Sequence, residues 1–244
     1  MLELNNSTVT PLPVLWSSVY EALRAAILTH NLTPGLKLPE DEIGEVYSVS
    51  RTVVRAALQA LAHDRLVTLE PKRGAFVAQP SKQEARDVFE ARALIEPKVA
   101  AMAAEVAKPA DVKLLRKHLD DEHAAIHAED DGEAVLLSGR FHVSIAEIAG
   151  QIVYTEFVKQ LCSRSSLIIS MHWKRHDTFC ESHAHQALVD AIGRHNPVDA
   201  AELMTSHLVD LLSGLDLRPP RANDRSLAEI LGTAPGRGPR RAAT

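Results

Sequence analysis

Residues 50–61 have the pattern of a helix with two different faces. Their apolar positions recur at the i, i+3, i+4, i+7 spacing of a helix packed on a core: Val54, Ala57, Leu58 and Leu61. Arg51 and Arg55 lie one turn apart on the opposite face, together with Thr52. Ser50 stands where an N-cap residue is expected. The pattern predicts a helix that is held from behind and presents cations in front.

The segments before this helix complete a helix-turn-helix pattern. A first helix begins at Pro13, and Pro34-Gly35 marks the turn that follows it. A very short strand at residues 36–38 precedes a second short helix at residues 40–47. Ser48-Val49 then forms the tight turn into the arginine-bearing helix.

A β-hairpin is predicted directly after the helix-turn-helix. Residues 66–69 and 75–78 are β-rich runs, and the residues between them form a basic turn. Lys72, Arg73 and Gly74 lie at its tip, where cations and a residue without a Cβ atom can approach a phosphate backbone or a minor groove. This hairpin is expected to be the wing of a winged helix-turn-helix.

Six helices are predicted beyond Pro80-Ser81, joined by short loops. They cover residues 82–107, 109–129, 133–149, 153–172, 181–195 and 197–215. Short connections favour an antiparallel bundle. The predicted fold is therefore mainly α, with an N-terminal winged helix-turn-helix followed by an all-helical antiparallel bundle. Its domains are a flexible arm at residues 1–12, the winged domain at 13–79, the helical domain at 80–216 and a disordered basic tail at 217–244.

Composition limits where on the molecule nucleic acid could bind, and it indicates the cellular compartment of the protein. The 244 residues are 45% hydrophobic and carry a formal net charge of -5, so any DNA binding depends on local basic patches. Two cysteines, Cys162 and Cys180, do not make a disulfide framework, which favours a reducing compartment. No apolar run approaches the ~20 residues that span a bilayer, and no signal-peptide pattern begins the sequence. A soluble cytoplasmic protein without membrane partners is expected.

Three segments in this order and spacing resemble the GntR family of bacterial transcription regulators, in the subfamily with a FadR-type C-terminal domain (FCD). The segments are Pro34-Gly35-Leu36-Lys37-Leu38, Val49-Ser50-Arg51-Thr52-Val53-Val54-Arg55-Ala56-Ala57-Leu58 and Arg73-Gly74-Ala75-Phe76-Val77. The resemblance covers roughly residues 14–215. It departs from the family pattern at Val53 in place of Pro, at Ala56 in place of Glu and at Arg65 in place of Gly.

The resemblance implies a ligand-responsive regulator that binds double-stranded DNA. Its DNA-binding residues would be Lys37, Ser50, Arg51, Thr52, Arg55, Lys72, Arg73 and Gly74. Arg51 and Arg55 would supply the main base and phosphate contacts, since arginine can donate paired hydrogen bonds to guanine. One monomer on one half-site binds weakly, so a homodimer on a near-palindromic operator is expected, with dimer contacts from the helical domain. The alternative for the two arginines is a solvated pair on an ordinary amphipathic helix.

Ten of the twelve histidines lie beyond residue 117, which raises the question of a metal site. The resemblance places metal ligands at His142, His185 and His207, on three separate helices. Neutral imidazoles from facing helices can bind Zn²⁺ or a similar divalent ion. The subfamily has Asp one turn before the first histidine, and this chain has Ser138 there. The alternative is three polar core residues around a cavity or a directly bound organic ligand.

Arg92 and Ser138 are the candidate effector-binding residues. Arg92 lies in a segment that resembles the FCD region whose arginine clamps a carboxylate in the effector cavity. The alternative is a surface pair with Glu96, one turn later. A small organic acid that contacts Arg92 and either the metal or Ser138 would couple the cavity to the DNA-binding domains.

Two other functions compete with this interpretation. A metal-dependent hydrolase could use the same histidines, but no glutamate is placed by a His-Glu-x-x-His motif and no nucleophile stands beside a base. An effector-independent DNA-binding protein would use the winged domain alone. The chain is therefore expected to be no enzyme.

Overall fold

The computed structural model describes residues 12–173 and 181–215, with side chains described for residues 16–173 and 183–215. The predicted flexible arm at residues 1–12 lies outside these ranges except for Leu12, which begins the first helix, and the predicted basic tail at residues 217–244 and Cys180 lie outside them as well.

The N-terminal elements form a winged helix-turn-helix, as predicted. Their order is α1 Leu12–Leu28, β1 Lys37–Leu38, α2 Glu40–Tyr47, α3 Arg51–His63, β2 Val67–Glu70 and β3 Gly74–Val77. The three strands make an antiparallel sheet in the order β1-β3-β2, with Lys37 opposite Phe76 and Glu70 opposite Gly74. The sheet therefore brings β1 beside the wing.

The turn between α2 and α3 is tight because two residues adopt suitable backbone geometry. Ser48 ends α2 in the left-handed region at φ 54°, and Ser50 is extended before α3. A Cβ atom on Gly44 would lie 3.0 Å from the carbonyl oxygen of Val49, so glycine allows the two helices to approach closely. The hydroxyl of Ser50, at the predicted N-cap position, makes no capping hydrogen bond.

The predicted inner face of α3 is buried, which confirms the apolar spacing. Val53, which the pattern left off that face, is buried as well. Arg65 adopts φ 61° just after the helix, the left-handed conformation for which glycine is usual.

Within residues 82–173 and 181–215, six helices follow the wing and pack around a second core. They are α4 Lys82–Val106, α5 Pro109–His127, α6 Asp131–Ala149, α7 Ile152–His172, α8 Glu181–Gly193 and α9 Pro197–Ser213. Helix α4 packs against α6, α7, α8 and α9 and so occupies the centre of the bundle. None of the helices formed by residues 12–173 and 181–215 is long and apolar enough to cross a bilayer.

The buried face of α4 does not include all of the helix's large apolar residues. Phe89 and Val99 are buried, but Val106 is 53% exposed. The buried stripe contains alanines together with Arg92 and Glu96, so it is rotated relative to a stripe drawn through apolar residues alone.

Helix α6 begins at Asp131 rather than at the predicted Glu133. Asp130, expected to lie in a loop, is the N-cap, and its carboxylate accepts a hydrogen bond of 3.0 Å from the backbone N–H of Glu133. A Cβ atom on Gly132 would lie 2.3 Å from the carbonyl oxygen of Thr29, just after α1. Only glycine fits where α6 meets the end of α1.

The two parts of the chain share a packed junction. Leu136 of α6 and Leu167 of α7 belong to the hydrophobic core of the winged domain, and both are buried. The guanidinium of Arg24 in α1 donates a hydrogen bond of 3.3 Å to the hydroxyl of Ser163 in α7. Helices α6 and α7 therefore contact the winged domain directly.

Candidate functional site

The outer face of α3 presents the predicted cations to solvent. The side chains of Arg51 and Arg55 are 71% and 60% exposed, and Thr52 is exposed beside them. The helix is thus fixed by its buried side and open at the face that would meet DNA.

Each of the three exposed arginines in the predicted interface contacts a carboxylate, which the sequence pattern did not predict. Arg51 pairs with Asp41, and Arg73 pairs with Glu70. The Glu40 carboxylate accepts two hydrogen bonds from Arg55, of 3.0 Å from Nε and 2.7 Å from Nη2. These hydrogen bonds lower the pKa of Glu40, which stays charged at neutral pH.

Two residues at the tip of the wing have left-handed backbone conformations. Lys72 and Gly74 adopt positive φ angles of 64° and 103°. The guanidinium of Arg73 lies 5.3 Å from the ring centroid of Phe76, close enough for a cation–π contact. Lys37 on β1 lies beside Gly74, since a Cβ atom there would be 3.9 Å from Lys37 Cε. Lys37 and the wing tip therefore adjoin one another.

The three predicted metal ligands converge inside the helical bundle. His142 of α6, His185 of α8 and His207 of α9 are all buried. The Nε2 atom of His207 lies 3.2 Å from Nε2 of His142 and 3.2 Å from Nε2 of His185. One nitrogen from each ring falls in a group within 4.8 Å, so this cluster could hold a metal ion.

Two buried glutamates stand behind the histidines, and sequence reasoning assigned neither of them to the cluster. Nδ1 of His142 lies 2.6 Å from Oε2 of Glu96, and Nδ1 of His185 lies 3.0 Å from Oε2 of Glu122. A carboxylate at Nδ1 places the proton there and leaves the Nε2 lone pair directed toward the other rings. Glu122 shares a buried helical stripe with Leu115 and Leu119, which is the signal that could have identified it.

Burial keeps His142 and His207 neutral at neutral pH. It lowers the pKa of His142 to about 4 and that of His207 well below its usual value. Burial favours the neutral form of Glu96, but the positive charge of Arg92, the proximity of His142 and the hydrogen bonds from both outweigh burial and lower the pKa of Glu96 to about 2. At neutral pH, His142 and His207 are thus in the form that binds a metal, while Glu96 is an anion.

Arg92 faces the interior of the bundle. It also forms the ion pair with Glu96 that the sequence offered as an alternative, but the pair is buried rather than at the surface. Its Nε and Nη2 atoms donate to the two carboxylate oxygens of Glu96, at 2.5 and 3.3 Å. Its Nη1 atom donates to the hydroxyl of Ser165 in α7, at 2.9 Å. The side chain of Arg92 is 3% exposed, so its ion pair with Glu96 is buried, and its hydrogen bond to Ser165 connects α4 to α7.

Ser138 lies on α6 one turn before His142 and is half-buried. A cavity of about 680 Å³ opens nearby, between α1 and helices α5, α6 and α7. Its walls include Arg24, Gly139 and Ser166, but neither Arg92 nor Ser138. The two predicted effector contacts therefore lie outside this cavity at the junction.

Two of the three histidines of α5 are partly buried. His118 is half-buried and hydrogen-bonded to the hydroxyl of Ser144 at 3.0 Å. His123 is half-buried too, whereas His127 is exposed.

A winged helix-turn-helix with exposed arginines, joined to a helical bundle with a buried polar centre, defines a DNA-binding regulator with a separate sensory domain. Residues 15–77 match the family described as bacterial regulatory proteins, gntR family, and residues 87–210 match the FCD domain. The chain belongs to the GntR family and carries an FCD domain. The predicted family and fold class are confirmed.

Named relatives are regulators as well. The chain is 29% identical to the transcriptional repressor GlaR of Escherichia coli over 208 residues, 78% of this chain and 90% of GlaR. It is 29% identical to the Uxu operon regulator of Haemophilus influenzae over 194 residues, 71% of each. For YdfH of Escherichia coli and the repressor RspR, both 30% identical, the match spans only 62% and 58% of the relative's length.

Solved structures agree on the fold. A GntR regulator from Rhodococcus sp. RHA1 has a TM-score of 0.71 at 24% identity, covering 89% of this chain and 98% of that one. The family and the named relatives are transcriptional regulators, not enzymes, which confirms that prediction and removes support for the hydrolase alternative.

Proposed function

We propose that this protein binds a near-palindromic operator as a homodimer and that a small organic acid, held near a divalent metal ion, changes its affinity for DNA. The observation that carries the proposal is the continuity of α6. This helix bears His142 in the buried cluster and Leu136 in the core of the winged domain. A ligand that shifts α6 therefore acts on the packing of the DNA-binding domain.

On DNA, the N-terminal half of α3 would enter the major groove. Arg51 and Arg55 would contact bases, with Thr52 and the backbone near Ser50 beside them, and each bidentate arginine would be worth about 1–3 kcal/mol of discrimination. Lys37 and the wing tip would bind phosphates or the adjacent minor groove. A second copy of the chain would occupy the other half-site through contacts between helical domains.

The donor set fits a divalent metal such as Zn²⁺. His142, His185 and His207 would hold it through Nε2, and the glutamates behind two of these rings would keep them in the required tautomer. A bound metal would supply a Lewis-acidic anchor for a ligand carboxylate. Ser138 would add a neutral contact in place of the carboxylate found in the subfamily.

Arg92 would bind the organic acid through the edge of its guanidinium that now contacts Ser165. Nε and Nη2 are occupied by Glu96, so a ligand carboxylate would approach Nη1 and displace the Ser165 hydroxyl. That exchange would alter the contact between α4 and α7. Helix α7, like α6, contributes a leucine to the core of the winged domain.

One observation favours an effector-independent regulator as the second candidate. Arg92 already has partners on both edges of its guanidinium, and the three imidazoles contact one another. The interior could therefore be satisfied by its own side chains. An operator affinity that does not change when metals or carboxylic acids are added would support this candidate.

Selection of duplexes from a random library by the wild-type protein tests whether the protein binds DNA sequence-specifically. We expect one near-palindromic sequence to be enriched, and Arg55→Ala to bind it about tenfold or more weakly while unfolding at the same temperature. His127→Ala, an exposed change in α5, serves as the control. Wild-type affinity of the Arg55→Ala protein for the selected duplex would contradict the proposal.

Metal analysis and thermal unfolding test the sensory site. We expect about one divalent ion per purified chain, loss of that ion in His207→Ala, and a lower Tm after addition of a chelator. A screen of small carboxylic acids should then raise Tm in the metal-loaded protein and lose most of that effect in Arg92→Lys. Equal metal content in the wild type and His207→Ala would contradict this assignment.

A further inference from the structure

The acidic first turn of α2 lies beside the arginines proposed to read DNA. This turn consists of Glu40, Asp41 and Glu42. Glu40 contacts Arg55 and Asp41 contacts Arg51, whereas Glu42 makes no ion pair within the described ranges 12–173 and 181–215. Two cations of the interface are thus held by carboxylates of the preceding helix before DNA arrives.

The geometry of the Arg55–Glu40 pair leaves the arginine able to bind a base. Glu40 uses the side edge of the guanidinium, formed by Nε and Nη2. The end of the guanidinium, formed by Nη1 and the second N–H of Nη2, is directed away from that carboxylate. Two N–H groups are enough for the O6 and N7 atoms of guanine. Arg55 can therefore contact Glu40 and a guanine at the same time.

The pair is too exposed to matter much for folding. The side chains of Arg55 and Glu40 are 60% and 32% exposed, and pairs of this kind in water contribute little to stability. An unrestrained arginine, however, loses rotamer freedom when it binds a base, and a pre-oriented fork loses less. A carboxylate next to the interface also opposes nonspecific attraction to phosphates. The first effect acts on DNA selectivity, whereas the second weakens binding to every sequence alike.

We propose that Glu40 is a specificity-determining positioning residue, which holds Arg55 in the orientation for base reading and whose negative charge weakens sequence-independent binding. The inference rests on the proposed operator binding, since it concerns the same face of α3. Glu40, a residue of α2 that touches no base, would then set the ratio of specific to nonspecific affinity.

Three variants separate geometry from charge. Glu40→Gln removes the charge and the two-oxygen acceptor, while Glu40→Asp keeps the charge on a side chain too short for the same bidentate contact. Glu42→Gln is the matched control, since it removes an equal charge from the same helical turn. Each full-length variant is titrated with the duplex selected by the wild type and with a scrambled duplex of the same composition, at several salt concentrations.

We expect both Gln variants to bind the scrambled duplex more tightly by a similar factor. Glu40→Gln and Glu40→Asp should each lower the ratio of selected to scrambled affinity by about tenfold, and Glu42→Gln should leave it within about twofold. In an Arg55→Ala background, Glu40→Gln should no longer change the ratio. Thermal unfolding should be alike for all variants.

Equal ratios for Glu40→Gln and Glu42→Gln would overturn the inference, because the effect would then be one of charge alone. A higher ratio for Glu40→Gln would overturn it as well, since Glu40 would then be a competitor of DNA. Either result, with a wild type that discriminates between the duplexes, leaves the proposed function intact. A wild type without any preference would instead contradict the proposed function and this inference together.

Discussion

Two arginine–glutamate pairs with the same bidentate chemistry sit in opposite environments of this molecule. Arg55 and Glu40 lie at the surface, with side chains 60% and 32% exposed. Arg92 and Glu96 lie in the bundle centre, with side chains 3% and 2% exposed. In water the first pair is screened and can exchange with a phosphate or base, whereas the second has no solvent to replace a missing partner.

The difference assigns the two pairs different tasks. The surface pair can adjust the energetics of DNA binding without a cost to folding. The buried pair holds α4 to α7 through Ser165 and orients the ring of His142 through Glu96. Disruption of the first should therefore be visible in DNA selectivity, and disruption of the second in stability.

The largest effect is expected for Arg92→Met, which leaves the buried Glu96 without its strongest cation. The free energy of unfolding should fall by about 3–5 kcal/mol, the cost typical of breaking a buried pair on one side. Equilibrium denaturant unfolding measures it, with Arg116→Met in an exposed pair with Asp190 as the control. The double change Arg92→Met with Glu96→Leu should recover much of the stability. A decrease of less than about 1 kcal/mol for Arg92→Met would show that the buried pair contributes no more to stability than a surface ion pair does.

An intermediate effect is expected at His30, a titratable group at the junction of the two domains. Burial lowers its pKa to about 4, so the folded protein does not take up the proton that the unfolded chain binds below about pH 6.5. Stability should therefore fall between pH 6.5 and 4, by up to about 3 kcal/mol from this residue. His30→Asn tolerates the left-handed backbone at φ 61° and cannot titrate. Its unfolding midpoint should decline less steeply over that range, and an identical decline would refute the assignment.

Much of the fold follows from sequence pattern, because burial of large apolar side chains sets helix faces. Four of the five buried positions of α3 were predicted from spacing alone, and helices α2 and α4–α9 lie close to their expected ranges. Apolar spacing does not define the buried face of α4, because that face is partly polar. A stripe that contains Arg92, Glu96 and alanines has no strong apolar signal, so its orientation depends on partners from other helices.

The candidate site was predicted in part, for a related reason. The resemblance located His142, His185 and His207, and the structure brings them together. Glu96 and Glu122 were not assigned to that cluster, because a carboxylate on a charged helix resembles a solvated one until its neighbours are known. Glu40 and Asp41 were missed as partners of α3 since their contacts cross a turn rather than repeat along one helix.

The smallest effect on folding is expected at the wing, where Arg73 pairs with Glu70 and lies over the ring of Phe76. Arg73→Gln should change the free energy of unfolding by less than about 1 kcal/mol, because the guanidinium is 68% exposed. Its effect on DNA should be larger in salt dependence than in sequence preference. The slope of log affinity against log salt should become shallower by about 0.9 for each phosphate that the variant no longer neutralises. An unchanged slope would exclude phosphate binding by Arg73. A loss of stability as large as that of Arg92→Met would show that the exposure of an ion pair does not determine its contribution to folding.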